Sequence, residues 1–69
     1  MKAIIYSKPD CVYCLKAKDF MWGADIEYTE STVGQDILWE EVKALAPVDI
    51  TTVPQIWIDG VYIGGYDQL

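Results

Sequence analysis

The 69-residue chain predicts an α/β fold: a single domain over residues 1–69, with a four-stranded mixed sheet in the order β-α-β-α-β-β. Three observations carry this. A compact β-branched run near the N-terminus precedes a helix-forming segment. A second group of apolar residues recurs at helical spacing. Two short apolar runs then flank an Asp-Gly pair. Element by element, Ala3-Ile4-Ile5-Tyr6 reads as a buried strand within Lys2 to Tyr6. Pro9 breaks the loop Ser7-Lys8-Pro9-Asp10. Val12 to Trp22 favours helix, and Gly23 is placed to end it. Asp25 to Glu30 alternates, with Ile26 and Tyr28 on one face and Glu27 and Thr29 on the other. Thr32 is placed to cap a second helix, with Gln35 at capping-box spacing. Leu38, Val42 and Leu45 follow the helical period, and Pro47 stops it. Gln55-Ile56-Trp57-Ile58 and Val61-Tyr62-Ile63 flank Asp59-Gly60, a strong hairpin signal. Gly64-Gly65 breaks the last strand, and Tyr66 to Leu69 begins a further helix. The first two strands, joined by a crossover helix, are expected to be parallel, and the final hairpin antiparallel.

Composition narrows the function. The hydrophobic share is 52%, enough for a packed core. Chains of this size still bury only about 60% of their unfolded surface. The sequence has no His, Arg or Asn, which removes Ser-His and Cys-His dyads, histidine metal sites and N-glycosylation sites. A net charge of −6 argues against nucleic-acid binding. Apolar runs fall far short of the roughly 20 residues of a membrane helix, so no membrane association is expected. No basic-then-apolar leader precedes the first strand, and the expected location is cytoplasmic.

Two cysteines remain, Cys11 and Cys14. A bridge between them closes a short loop and is a poor structural staple. In a reducing compartment a C-x-x-C pair points to redox chemistry, with half of a metal site shared between two chains, or a structural role, as the alternatives. Cys11 sits where the first helix begins, so free N–H groups and the positive helix end favour its thiolate. Lys8, three residues upstream, adds positive charge. Cys14 lies one turn on, within disulfide reach. Cys11 is expected to be exposed and acidic, and Cys14 buried and less acidic. Disulfide exchange uses that asymmetry: one sulfur attacks and the other resolves. Lys8, Lys16 and Lys18 cluster around the pair, whereas Asp25 to Asp49 holds seven carboxylates and one lysine. Cations gathered near a thiol suit an anionic thiol substrate. Lys16 and Lys18 also fit the wet face of an amphipathic helix.

These residues carry a family resemblance. Ile4-Ile5-Tyr6-Ser7-Lys8 with Cys11-Val12-Tyr13-Cys14, then Thr52-Val53-Pro54-Gln55-Ile56-Trp57-Ile58-Asp59, Tyr62-Ile63-Gly64-Gly65 and Tyr66-Asp67-Gln68-Leu69 occur in order over nearly the whole chain. The chain resembles glutaredoxins of the bacterial and phage type, small glutathione-dependent members of the thioredoxin-like fold. The resemblance implies a cis bond before Pro54 that faces the nucleophile and presents the Val53 backbone to glutathione. It implies that Tyr13 walls a glutathione groove shaped also by Lys8, Thr52, Gly64, Gly65, Tyr66 and Asp67. In that groove the N–H groups of Tyr66 and Asp67 hold a carboxylate and the Asp67 side chain takes an ammonium. Val12 stands where many dithiol members have proline. The family usually continues through a full last helix, so the expected fold has a truncated one.

The expected function is glutathione-dependent thiol–disulfide exchange on protein disulfides and glutathione mixed disulfides. Cys11 attacks and Cys14 resolves. Glutathione is a co-substrate, with no tightly bound cofactor and no metal expected. Disulfide proteins, ribonucleotide reductase among them, are the expected partners. Two rivals stand beside this reading: a redoxin reduced by thioredoxin reductase that serves ribonucleotide reductase, and a glutathione-ligated iron–sulfur carrier. Trp22, Trp39 and Trp57 read as core or core-edge residues.

Overall fold

The computed structural model describes residues 1–69. The elements are β1 (Lys2–Ser7), α1 (Val12–Gly23), β2 (Glu27–Thr32), α2 (Trp39–Leu45), β3 (Gln55–Ile58), β4 (Val61–Gly64) and a 3-10 turn over Tyr66–Gln68. The sheet order is β2-β1-β3-β4. β1 pairs with β2 in parallel, from Lys2 opposite Glu27 to Ser7 opposite Thr32. β1 pairs with β3 antiparallel, and β3 with β4 likewise. The mixed sheet predicted from the sequence is therefore present. No helix is long and apolar enough to cross a membrane.

Register decides which side chains meet the core. Ala3, Ile5 and Ser7 share one face of β1 and are buried, while Lys2 and Ile4 are exposed. Ile56 and Ile58 of β3 stand opposite Ile5 and Ala3. Ala17 and Met21 of α1, one turn apart, close over them, with Ile26 completing the cluster. Tyr28, Ile58, Ile63, Tyr66 and Leu69 pack around its edge. Tyr6, Trp57 and Tyr62 stack edge-on in series, at centroid distances of 5.3 and 4.9 Å.

Three boundaries depart from the sequence reading. Gly23 is the last residue of α1 but does not supply its left-handed closure. Asp25 is the left-handed residue instead, at φ 59°. Its N–H bonds the Trp22 carbonyl, and the Ile26 N–H bonds that of Met21 at 2.9 Å. This is a Schellman closure, sealed by Met21 and Ile26 in the core. Thr32 does not cap α2, because β2 continues to Thr32 in register with Ser7. The Thr32 carbonyl instead accepts from Gln35 and Asp36, and its N–H donates to the Asp36 carboxylate. α2 starts at Trp39, where the Glu41 carboxylate accepts the Leu38 N–H at 3.1 Å. Leucine has no side-chain acceptor, so only this half of a capping box exists. Trp22 is 81% exposed and belongs to no core; Trp39 and Trp57 are half-buried. Trp22 falls in the last turn of α1 and borders an open hollow with Lys2 and the start of β2.

The hairpin needed no correction. Asp59 and Gly60 take φ 50° and 79°, the two left-handed positions of a type I′ turn. Asp59 also ties the turn to β1: its carboxylate accepts the Lys2 N–H and its own N–H donates to the Lys2 carbonyl.

Candidate functional site

At the C-terminal end of β1 the chain turns through Lys8, Pro9 and Asp10, the last at φ 57°. Aspartate tolerates that conformation better than most residues. The turn delivers Cys11 as the N-cap of α1, in extended backbone conformation. Its Sγ accepts the Cys14 N–H at 3.2 Å, one of the helix's orphan donors. No acidic residue stands in the first turn of α1. A thiolate at Cys11 therefore meets an N–H donor and the positive helix end. Cys11 and Cys14 are joined as a disulfide, with Cα atoms 5.2 Å apart. Cys11 is 9% exposed and Cys14 1%. The predicted asymmetry of exposure holds in sign. Cys11 itself is nearly buried, against expectation, because the Val53 carbonyl oxygen approaches its Sγ to 3.9 Å.

The Val53–Pro54 peptide bond is cis. Pro54 is buried and Val53 half-buried. Behind them Gln55, 5% exposed, has both ends of its amide satisfied. Its Nε2 donates to the Thr52 carbonyl at 2.8 Å, and its Oε1 accepts the Tyr62 hydroxyl at 2.6 Å. A buried amide bonded at both ends fixes the loop that presents Val53. Gln55 and Tyr62 thus shape the site, yet the sequence reading assigned them only to strands. An inward glutamine at the first position of a strand was the available signal, since it must find partners.

Gly64 adopts φ 123°, and a Cβ there would lie 2.8 Å from Gln68 Oε1. That oxygen accepts the Gly65 N–H at 2.8 Å. The close approach permitted by Gly64 is therefore to Gln68 of this chain. A Cβ on Gly65 would meet the Pro54 carbonyl at 3.4 Å. Tyr13 and Tyr66 face each other at 5.9 Å between ring centroids, linking α1 to the 3-10 turn.

These pieces enclose a groove of about 500 Å³. Of the residues singled out in the sequence, Tyr13, Thr52, Val53, Pro54, Gly65, Tyr66 and Asp67 line it together. Gly64 lies beneath it. Val48, Asp49, Ile50 and Thr51 also line it and were missed, because the segment after Pro47 carries no motif. Lys8 does not line it. Lys8 borders a separate depression of about 320 Å³, with Cys11, Cys14, Lys18 and Glu30. Lys16 stands 5.3 Å over the Tyr13 ring. The largest hollow, about 780 Å³ around Trp22 and the start of β2, contains neither cysteine.

In the second depression Glu30 accepts a hydrogen bond from the buried Ser7 hydroxyl and pairs with Lys18 at 3.0 Å. The Ser7 bond, helped by Lys18 and opposed by partial burial, holds the Glu30 carboxyl below its ordinary pKa of 4.5. The folded state thus releases this proton more readily than the unfolded chain. The stabilisation is present above about pH 4.5 and is lost as pH falls through the lowered value. In urea melts Glu30→Gln should unfold more easily than the parent at neutral pH, and the gap should close on acidification. A gap of constant size would show that the charge contributes nothing.

Comparison with known proteins places this geometry. A family model described as Glutaredoxin matches residues 3–63. The chain belongs to the glutaredoxin family. It is 38% identical over 65 residues to the hybrid peroxiredoxin hyPrx5 of Haemophilus influenzae, covering 94% of this chain and 26% of that protein. It is 37% identical over 67 residues to glutaredoxin 1 of Rickettsia felis, covering 96% of this chain and 66% of that one. The chain thus spans about a quarter and about two thirds of those relatives. Among solved structures, reduced Escherichia coli glutaredoxin superposes with a TM-score of 0.82 at 31% identity, over 99% of this chain and 87% of that one. A buckwheat glutaredoxin–glutathione complex gives 0.79 at 26% identity, over 96% and 62%. The thioredoxin-like architecture expected of a glutaredoxin, four strands and two helices, is the one found, and the Cys11–Cys14 pair is its redox disulfide.

Proposed function

We propose that this chain is a glutathione-dependent thiol–disulfide oxidoreductase acting on protein disulfides and glutathione mixed disulfides in a reducing, cytoplasmic setting. The observation that carries the reading is the placement of Cys11. Its sulfur caps a helix N-terminus in the depression it shares with Lys8, and it lies 3.9 Å from the carbonyl of Val53, which lines the adjoining groove of about 500 Å³. In the reduced enzyme the Cys11 thiolate attacks one sulfur of the substrate disulfide. A mixed disulfide forms, and the electron pair leaves with the other sulfur. The Cys14 thiolate, one turn along the helix, then attacks the Cys11 sulfur and frees the bound thiol. One glutathione thiolate opens the resulting Cys11–Cys14 disulfide to form a mixed disulfide at Cys11, and a second attacks the glutathione sulfur, freeing Cys11 and leaving as glutathione disulfide. The Val53 N–H, which has no partner within the fold, pairs with the backbone of the bound thiol. Thr52, Pro54, Gly64 and Gly65 shape the wall, Tyr13 and Tyr66 flank the mouth, and Asp67 takes the ligand's ammonium. Lys8, in the neighbouring depression, acts on Cys11 by charge. Disulfide-bearing proteins, ribonucleotide reductase among them, are the proposed partners.

The likeness to a glutathione-bound relative supports the ligand. The test is turnover of a glutathione mixed disulfide with either glutathione or thioredoxin reductase as the sole electron source. Turnover with glutathione alone is expected. Turnover only with the reductase would replace glutathione in this account.

A further inference from the structure

The Val53 N–H proposed to pair with the bound thiol is aimed by a relay that begins on the edge strand β4. The peptide bond between Thr52 and Val53 is trans, since the cis bond of the chain follows Val53. A trans peptide is planar, and its C=O and N–H point in opposite directions. The Thr52 carbonyl accepts the Gln55 Nε2 at 2.8 Å. Holding that carbonyl turns the Val53 N–H away from the Gln55 amide, where no group of the fold accepts it. Gln55 is itself held. It is 5% exposed, and its Oε1 accepts the Tyr62 hydroxyl at 2.6 Å. An amide offers oxygen on one side and nitrogen on the other, so a hydroxyl that donates to Oε1 keeps Nε2 on Thr52. Sheet register delivers that hydroxyl. Gln55 and Trp57 stand opposite Tyr6 and Ile4, on one face of β3, and Tyr62 of β4 stands opposite Trp57. Diagonal neighbours across two strands are within reach of aromatic and long side chains. The Tyr62 ring is fixed against Trp57, and Trp57 against Tyr6.

Resting on the oxidoreductase reading above, we infer that the Tyr62 hydroxyl is a positioning group for substrate: acting through Gln55, it holds the Thr52–Val53 peptide in the orientation that lets the Val53 N–H pair with the backbone of the thiol bound at Cys11. The relay takes no part in the exchange of bonds. Its effect falls on substrates that carry a peptide backbone and spares those that carry none. Without the hydroxyl, a buried Oε1 loses its donor. The amide then gains by turning toward another, which releases the Thr52 carbonyl.

The experiment removes the hydroxyl and keeps the ring. Reduced parent and Tyr62→Phe are each given a glutathione mixed disulfide and bis(2-hydroxyethyl) disulfide, which has no peptide group. The quantity read is the ratio of the two second-order rate constants. It should fall by about two- to tenfold in Tyr62→Phe, the range of one hydrogen bond. The loss should appear as a higher KM for the glutathione mixed disulfide rather than a lower kcat. A partly unfolded variant slows on both disulfides alike, so its ratio does not move. Gln55→Met, which removes both bonds, should lower the ratio at least as far, and adding Tyr62→Phe to it should lower it no further. An unchanged ratio in Tyr62→Phe, or a further fall in the double variant, overturns the inference and leaves the oxidoreductase reading standing. A parent that fails on the glutathione mixed disulfide overturns both.

Discussion

Replacing Cys11 with serine is expected to abolish reduction of a glutathione mixed disulfide, a loss of roughly a thousandfold or more, as for other lost nucleophiles. Replacing Cys14 with serine should leave that reaction within about tenfold of the parent, because glutathione itself can resolve the mixed disulfide. Reduction of a protein disulfide should suffer in both variants, since a slow mixed disulfide is left without its neighbouring resolving thiol. The asymmetry follows from the structure. The Cys11 sulfur accepts a helix N–H and is the more exposed of the pair, whereas Cys14 is 1% exposed beneath it. Steady-state rates of the two variants on the two substrates settle the point. An active Cys11→Ser with an inactive Cys14→Ser would exchange the roles of the sulfurs.

Ile5→Ala should be the most damaging core substitution. Ile5 is fully buried between α1 and β3, among Ala3, Ala17, Met21 and Ile56. Such truncations cost about 2–5 kcal/mol. A domain of this length holds only about 3–10 kcal/mol in all, at 0.05–0.15 per residue. A large unfolded fraction is therefore expected even without denaturant. Ile4→Ala, one residue away but 44% exposed, should cost at most about 1 kcal/mol. Urea unfolding of the two variants measures the contrast directly. Equal losses would mean that β1 is out of register, because a slip of one residue exchanges the two faces.

The boundary between what sequence and structure each decide runs through individual residues. Local signals were strong where one dipeptide or one spacing sets the backbone. Asp59-Gly60 made its turn, Cys11-x-x-Cys14 made its disulfide at a helix start, and the alternation around Ile26 and Tyr28 made a strand. Thr32 and Gln35 have a capping pattern, but pairing of β2 with β1 carried the strand through Thr32 and moved the helix start to Trp39. Gly23 was the obvious helix stop, but the docking of Ile26 against Met21 placed the closure two residues later, at Asp25. Family resemblance named half of the residues that line the groove. The segment Val48 to Thr51 came into it only because the fold brings the loop before β3 against Tyr13 and the 3-10 turn. The same folding put Lys8, with Cys11 and Cys14, in the neighbouring depression, a fact that no spacing along the chain encodes. Periodicity and turn chemistry act over a few residues and are written in the sequence. Which side chains share a cavity depends on contacts between residues distant in the chain, and those exist only once the sheet has formed.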